Sequence, residues 1–330
     1  MKAILPVAGM GPRLRPLTHT TPKALVHVAG KPILGHILDA LIPLGIDEVV
    51  LIVGHLGEQI EQYVRSTYPV RVRCVEQPER LGLGHAVLLA QEAFGCEDEP
   101  VLIVLGDTIF SADLRSVLAA KGSAIGVHEV EDPTRFGVVE LEGTRIRRLV
   151  EKPAEPPSNL AIVGVYYLAS SRRLFAALQQ IIERDIKLKG EYQLTDALQL
   201  LIEQGEEMTT FPVLDWLDCG NPETLLESNR LLLDKQKGNG QLPSAEDCII
   251  IPPVSIAPSA RIVQSIVGPY VSIAEGVEVR QCIIRNSIVN REAHVTNVLL
   301  SDSIIGERAA VGGTYAQVNV GDSSDIRVAG

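Results

Sequence analysis

The residues best suited to chemistry in this chain open its N-terminal end. In the run Leu5-Pro6-Val7-Ala8-Gly9-Met10-Gly11-Pro12-Arg13-Leu14-Arg15, followed by Pro22-Lys23, two glycines precede three fixed positive charges, Arg13, Arg15 and Lys23. Gly9 and Gly11 let the backbone turn tightly and approach a ligand with no Cβ in the way. Such a loop aims successive N–H groups into one concavity, which is an anion site. Bidentate Arg and point-charge Lys suit phosphate oxygens in different ways. A glycine turn beside a solvated basic loop is the plainer reading, and the clustered cations favour phosphate binding over it. The run is not the dinucleotide fingerprint, because Leu14 stands where its third glycine would fall. Nor is it a P-loop, since no Gly-Lys-Ser/Thr follows at the required distance.

Three further constellations carry chemistry. Gln77 precedes Gly82-Leu83-Gly84-His85-Ala86, and its amide offers a donor and an acceptor that match a pyrimidine edge. Gly82 and Gly84 would let a base lie flat against the backbone, although the same residues also read as a loop and a helix start. Asp107 ends an apolar run, and Asp218 sits in Trp216-Leu217-Asp218-Cys219-Gly220. Two carboxylates beside a triphosphate suit Mg²⁺, which takes one or two carboxylates plus phosphate oxygens; each could equally be a cap or turn former. Glu151-Lys152 places a carboxylate for sugar hydroxyls next to an ammonium for a sugar phosphate, or forms a plain surface ion pair.

Taken together, these segments resemble the sugar-1-phosphate nucleotidyltransferases, whose signature is G-x-G-x-R-L followed by P-K. The most similar in appearance are the glucose-1-phosphate thymidylyltransferases and their uridylyl relatives. Pro12 departs from the family's usual Thr or Ser before the Arg. Phe136-Gly137-Val138-Val139-Glu140, Ile162-Val163-Gly164-Val165-Tyr166 and Lys189-Gly190-Glu191-Tyr192-Gln193-Leu194-Thr195-Asp196 are similar to its sugar-side motifs. The resemblance implies transfer of a nucleotidyl group from an NTP to a hexose 1-phosphate, giving NDP-hexose and pyrophosphate. Glucose 1-phosphate with dTTP or UTP is the expected pair. It implies Arg13 and Lys23 as catalytic residues, and Ala8, Gly9, Gly11, Gln77 and Gly82 as nucleotide-binding ones. Gly137, Glu151, Ile162 and Tyr166 would contact the hexose, Lys152 its phosphate, and Asp107 and Asp218 a Mg²⁺ ion. Glu191 would support the site. A nucleotide-sugar-binding regulatory homologue, favoured by Pro12, and a mannose-1-phosphate guanylyltransferase are the alternatives.

Elements must position these residues. Apolar β-rich runs at residues 3–5, 49–53, 70–75 and 101–105 alternate with helical patterns at 58–68 and 86–94. This alternation predicts an α/β, Rossmann-like domain with a mainly parallel, mixed sheet and helices on both faces. In such sheets ligands sit beyond the carboxyl ends of strands, which is where the Gly9 loop and Asp107 fall. Past residue 247 the period changes: Ile250, Ile256 and Ile262 are six apart, as are Val267, Ile273 and Val279, then Val289 and Val295, then Ile305 and Val311. That is the hexapeptide signature of a left-handed parallel β-helix. The predicted organisation is therefore a catalytic domain at 1–237, a linker at 238–247 and a β-helix at 248–330.

The remaining composition narrows the class. At 330 residues the chain is long enough for two domains. A net charge of −11 argues against a nucleic-acid partner. Five cysteines without a C-x-x-C pair fit reduced thiols in a cytoplasmic protein. No signal peptide or membrane-spanning run is expected. The seven histidines form no zinc-type pair. His294 alone would carry an acyl-transfer reading of the β-helix, and a homo-oligomer built through that β-helix is the simpler expectation.

Overall fold

The computed structural model describes residues 1–236 and 245–313, with the side chains of residues 245 and 246 left aside. Most of the expected linker, and residues 314–330 of the expected β-helix, lie outside the described residues. The chain divides into two compact units, Met1–Ser228 and Asn229–Gly330. The division falls within a helix, a few residues before the linker read from composition.

Apart from the short hairpin of His27–Val28 with Lys31–Pro32, the strands of the first unit are β1 (Lys2–Pro6), β2 (Glu48–Val53), β3 (Arg71–Glu76), β4 (Val101–Val104), β5 (Thr108–Ser111), β6 (Ser123–Glu129), β7 (Gly137–Glu142), β8 (Arg145–Glu151), β9 (Leu160–Leu168), β10 (Met208–Pro212) and β11 (Asp215–Asp218). The helices are α1 (Ile33–Leu41), α2 (Gly57–Thr67), α3 (Leu83–Leu89), α4 (Leu114–Ala120), α5 (Ser171–Glu183), α6 (Leu194–Glu203) and α7 (Pro222–Lys235), the last crossing into the second unit. Nine strands form one sheet in the order β3-β2-β1-β4-β9-β6-β10-β8-β7, while β5 and β11 pair separately. Every residue of β2 is buried, as are Ala3, Ile4 and Leu5 of β1, so both faces of the sheet centre are covered. On one face Ile4, Val50, Ile52, Val101 and Ile103 pack in a cluster with Val87 of α3, Leu174 and Leu178 of α5, and Leu198 of α6.

Two expectations need correction. The sheet is mixed, as expected, but not mainly parallel: parallel pairing is confined to β3-β2-β1-β4 and to β6 with β10, because β9 enters antiparallel to both β4 and β6. The nine-residue β9 and the β7–β8 hairpin leave no crossover helix between them, so the βα alternation of the first hundred residues does not continue. The helix expected at 86–94 begins at Leu83 and tightens into a 3₁₀ turn at Ala90–Ala93. The Gly84 N–H donates to Tyr192 O at 2.8 Å, which anchors that early first turn.

The second unit stacks parallel strands into three sheets, and successive coils are in register. Ile262 lies on Val279, Val279 on Val295, and Val295 on Val311, a coil length of seventeen and then sixteen residues. Two further inward stacks pair Val267 with Ile284 and Ile273 with Val289; all of these except Val311 and the flanking coils are essentially inaccessible. A strict six-residue repeat would give eighteen per coil and misses Ile284 and Leu300. At the corners held by Gln264, Gln281 and Asn297, each with φ near +50°, the chain turns in one residue fewer and the spacing falls to five. Asn tolerates that left-handed conformation better than most residues.

The three outer faces of this unit differ. One carries Arg261, Glu278, Arg280 and His294. On the second, Ser272 donates to Asn229 Oδ1 at 2.6 Å and Tyr270 O accepts from Asn229 Nδ2 at 3.1 Å. The third presents Ile249, Ile266, Ile283 and Leu299 in consecutive register, with Ile249 58%, Ile283 44% and Leu299 71% exposed.

Candidate active site

The first unit holds a cavity of about 600 Å³ whose lining includes Ala8, Gly9, Arg13, Lys23, Gln77, Gly82 and Asp107. It opens where β1, β3 and β4 end. Three backbone bonds bring those ends together: Val7 N–H donates to Ile52 O, Gln77 N–H to Val53 O, and Gly106 N–H to Pro6 O. A Cβ at Gly106 would stand 2.4 Å from Val7 Cγ1, so only glycine lets the β4 end approach the phosphate-type loop so closely.

Gly11 works from behind the cavity. Its φ of +56° turns the chain into the 3₁₀ segment Pro12–Leu14, and its missing Cβ leaves room for Lys23 Cβ and Cγ. Pro12 takes the first position of that turn, where a backbone N–H would have no partner in the turn and the fixed φ suits the geometry. Pro12 is thus compatible with a loop that presents Arg13. Lys23 is buried, and its Nζ lies 2.7 Å from Asp107 Oδ2.

Asp107 directly precedes β5, and Asp218 ends β11 opposite Thr108, so the strand pairing brings the two carboxylates to adjacent positions. Gly220 fixes the neighbourhood: a Cβ there would lie 2.8 Å from Asp218 Oδ1 and 3.0 Å from Arg13 Nη2. Cys219 between them reports the field. Burial pushes its thiol up to about 12, a bond with Ser228 and the charge of Lys23 oppose this, and Asp218 and Asp107 add to it. Among the described residues, no group of three or more His, Cys, Asp and Glu side chains converges to hold a metal. Two hard carboxylates beside a cavity lined by Arg13 and Lys23 nonetheless fit a divalent ion whose remaining ligands are substrate oxygens.

A second cluster assembles around Glu151, at the end of β8. Its Oε2 accepts from Thr195 Oγ1 at 2.7 Å, and Oε1 lies 3.1 Å from Lys152 Nζ. A Cβ on Gly137 would come 2.9 Å from Glu151 Oε2 and 3.1 Å from Ile162 Cδ1, so these three expected sugar residues meet. Tyr166 is buried on β9; burial raises its hydroxyl pKa and the Glu151 charge adds to the effect. Lys152 reaches its position with φ +44° and turns back to Glu151.

Some site features have no counterpart in the sequence reading. Arg80 and Leu105 also line the cavity, as does Glu191, which was expected only as a support. Gly82 and Gly84 accommodate protein backbone: a Cβ on Gly82 would meet Tyr192 O at 2.5 Å, and one on Gly84 would meet the same oxygen at 3.0 Å. Gln77 Nε2 donates to Gly82 O at 3.3 Å, leaving the amide oxygen and a second N–H. Thr195 carries no local signal of its role, because its bond reaches a residue 44 positions earlier.

An α/β sheet whose strand ends close on a cavity lined by Arg13, Lys23 and Asp107 fits an enzyme of nucleotidyl transfer. The comparisons agree: a family model described as nucleotidyl transferase matches residues 2–235, and the chain belongs to that family. It is 34% identical to the low-salt glycan biosynthesis nucleotidyltransferase Agl11 of Haloferax volcanii, over 94% of each chain. It is 33% identical to a glucose-1-phosphate thymidylyltransferase of Streptomyces griseus, covering 94% of this chain and 93% of that one. Among solved structures, a UDP-glucose pyrophosphorylase complexed with UDP-glucose aligns with 71% of this chain and 99% of its own, at TM-score 0.62 and 26% identity. No helix among the described residues is long and apolar enough to cross a membrane.

Proposed function

We propose that this enzyme makes an NDP-glucose and pyrophosphate from glucose 1-phosphate and dTTP or UTP. The observation that carries the reading is the convergence of Arg13, Lys23, Gln77 and Asp107 on one cavity. Two relatives named for glucose-1-phosphate thymidylyl transfer and for UDP-glucose support the choice of sugar and base. A sugar phosphate monoester is already a nucleophile at neutral pH, so its oxygen attacks the α-phosphorus without a general base. Catalysis is then positioning and charge neutralisation. Arg13 holds the β/γ-phosphates and the leaving pyrophosphate, and Lys23 bridges the α-phosphate and the attacking phosphate. Ala8 and Gly9 supply backbone N–H groups, while the Gln77 amide pairs with the pyrimidine edge. Asp107 and Asp218 would hold Mg²⁺, which when bound neutralises and orients the triphosphate. Glu151, Gly137, Ile162 and Tyr166 contact the hexose, and Lys152 leaves Glu151 for the sugar phosphate.

We assign the reaction to a catalytic domain ending near residue 237, place the protein in the cytoplasm, and take the coils as left-handed. The apolar third face of the β-helix supports a homo-oligomer. Ile249, Ile283 and Leu299 are exposed large apolar side chains joined in one register through Ile266, and contiguous exposed apolar surface of this kind marks interaction sites. The test of function crosses four NTPs with several sugar 1-phosphates and measures pyrophosphate release. Turnover confined to glucose 1-phosphate with dTTP or UTP is expected. Turnover only with GTP and mannose 1-phosphate, or none with any pair, would overturn the reading.

A further inference from the structure

Residues 191–195 touch both halves of the site within five positions. Leu188 and Glu191 close a tight hairpin through Lys189 and Gly190, both at positive φ. Glu191 then lines the nucleotide cavity. Tyr192 grips the Gln77–Gly84 loop from both sides of its own peptide: its N–H donates to Leu81 O at 2.7 Å, and its carbonyl accepts from Gly84 N–H at 2.8 Å. Helix α6 starts at Leu194, and buried Thr195 in its first turn holds Glu151 Oε2. Four extended residues span at most roughly 14 Å, so a displacement of the loop has little slack to absorb it before Thr195.

We propose that Thr195 is a positioning residue that sets the Glu151 carboxylate for the sugar, and that residues 191–195 couple this carboxylate to the nucleotide loop. The inference rests on the sugar-binding role proposed for Glu151. Glu151 has two oxygens with different neighbours. Thr195 holds Oε2, so Oε1, which lies beside Lys152, keeps a defined acceptor direction. Without the hydroxyl the carboxylate rotates freely or pairs fully with Lys152, and the sugar loses its acceptor.

The experiment is steady-state kinetics of Thr195→Val, Thr195→Ser, Glu151→Gln and Gly82→Ala. Loss of one hydrogen bond to a carboxylate is worth about tenfold or more, so Thr195→Val raises the KM for glucose 1-phosphate by that factor. The KM for the nucleotide stays at its wild-type value, and Thr195→Ser restores that for glucose 1-phosphate. Gly82→Ala, whose Cβ would press on Tyr192, raises the KM for the sugar phosphate as well as that for the nucleotide. A Thr195→Val enzyme with wild-type sugar KM overturns the inference, provided Glu151→Gln raises that KM. Equal rises in both KM values with no rescue by Ser also overturn it, because that is the signature of a merely structural residue. If Glu151→Gln itself is silent, the failure lies in the role given to Glu151.

Discussion

In the first unit the parallel strands β1, β3 and β4 stop at one edge, and the loops leaving them line a shared cavity. In the second unit parallel strands never stop in this sense. Each turns a corner and lies over the previous coil, so the backbone is consumed in stacking. The use of positive φ follows the same divide. Gly11 and Gly82 adopt it singly, where the chain must clear Lys23 or Tyr192. In the coils it recurs on Gln264, Gln281 and Asn297, and again on Asn286 and Asp302, at the coil period. Irregularity in the first unit creates places for ligands, whereas regularity in the second creates flat faces suited to another protein surface.

The largest effect that tests this contrast falls in the first unit. Lys23→Ala or Arg13→Ala should lower kcat by about 10²–10³, the range for removing a preorganised charge-stabilising donor. Melting of the β-helix should stay unchanged. Turnover within a factor of two of wild type in either variant would remove that residue from the mechanism.

The second unit should respond oppositely, and its inner and outer faces differently. Ile284→Ala empties an inward stack and should cost about 2–5 kcal/mol of stability. Leu299→Asp lies on the exposed ladder, so it should keep the fold and the turnover while shifting the assembly towards monomer in analytical ultracentrifugation. His294→Asp, on the charged face, is the control and should leave the mass unchanged. A monomeric wild type, or an unchanged mass for Leu299→Asp, would deny the ladder its role as an interface.

The same contrast governs what was legible in the sequence. Strands β1, β2, β3 and β4 are apolar runs with short loops, so their local pattern is sufficient. The sheet beyond β4 is decided by long-range pairing: β9 sits between β4 and β6 because of contacts no window of residues displays. The coils were visible through inward residues six apart, and Ile284 and Leu300 were missed because single-residue corners shorten the step to five. For the site, charged and glycine residues in one short loop pointed to a cavity that Gly9, Arg13 and Lys23 do line. Glycines 82 and 84 pointed to a close approach, and the backbone they stand against is that of Tyr192, while Gly82 also lines the cavity. Thr195 and Arg80 carry no local signal, since an exposed-looking Thr or Arg is chemically ambiguous until the fold gives it a neighbour.

The smallest effect compares one buried thiol in each unit. Burial raises both Cys219 and Cys282, but the Cys282 sulfur lies among backbone groups of Arg280, Asn297 and Val298 that offset it, whereas Cys219 sits by Asp218 and Asp107 and reaches about 12. An unfolded thiol ionises near 8.5. Between about pH 8.5 and 12 the unfolded chain therefore loses the Cys219 proton while the folded chain keeps it. The stability this thiol contributes is fully present below pH 8.5 and is lost as pH rises through that window, with a limit on the order of a few kcal/mol. Urea midpoints at pH 8 and pH 10.5 should fall further apart in wild type than in Cys219→Ala. At pH 8 iodoacetamide should modify exposed Cys96 and spare Cys219 until denaturant is added. Equal native-state labelling of the two would mean that the Asp107–Asp218 neighbourhood opens to solvent, and the Cys219 proton would then carry no special stability.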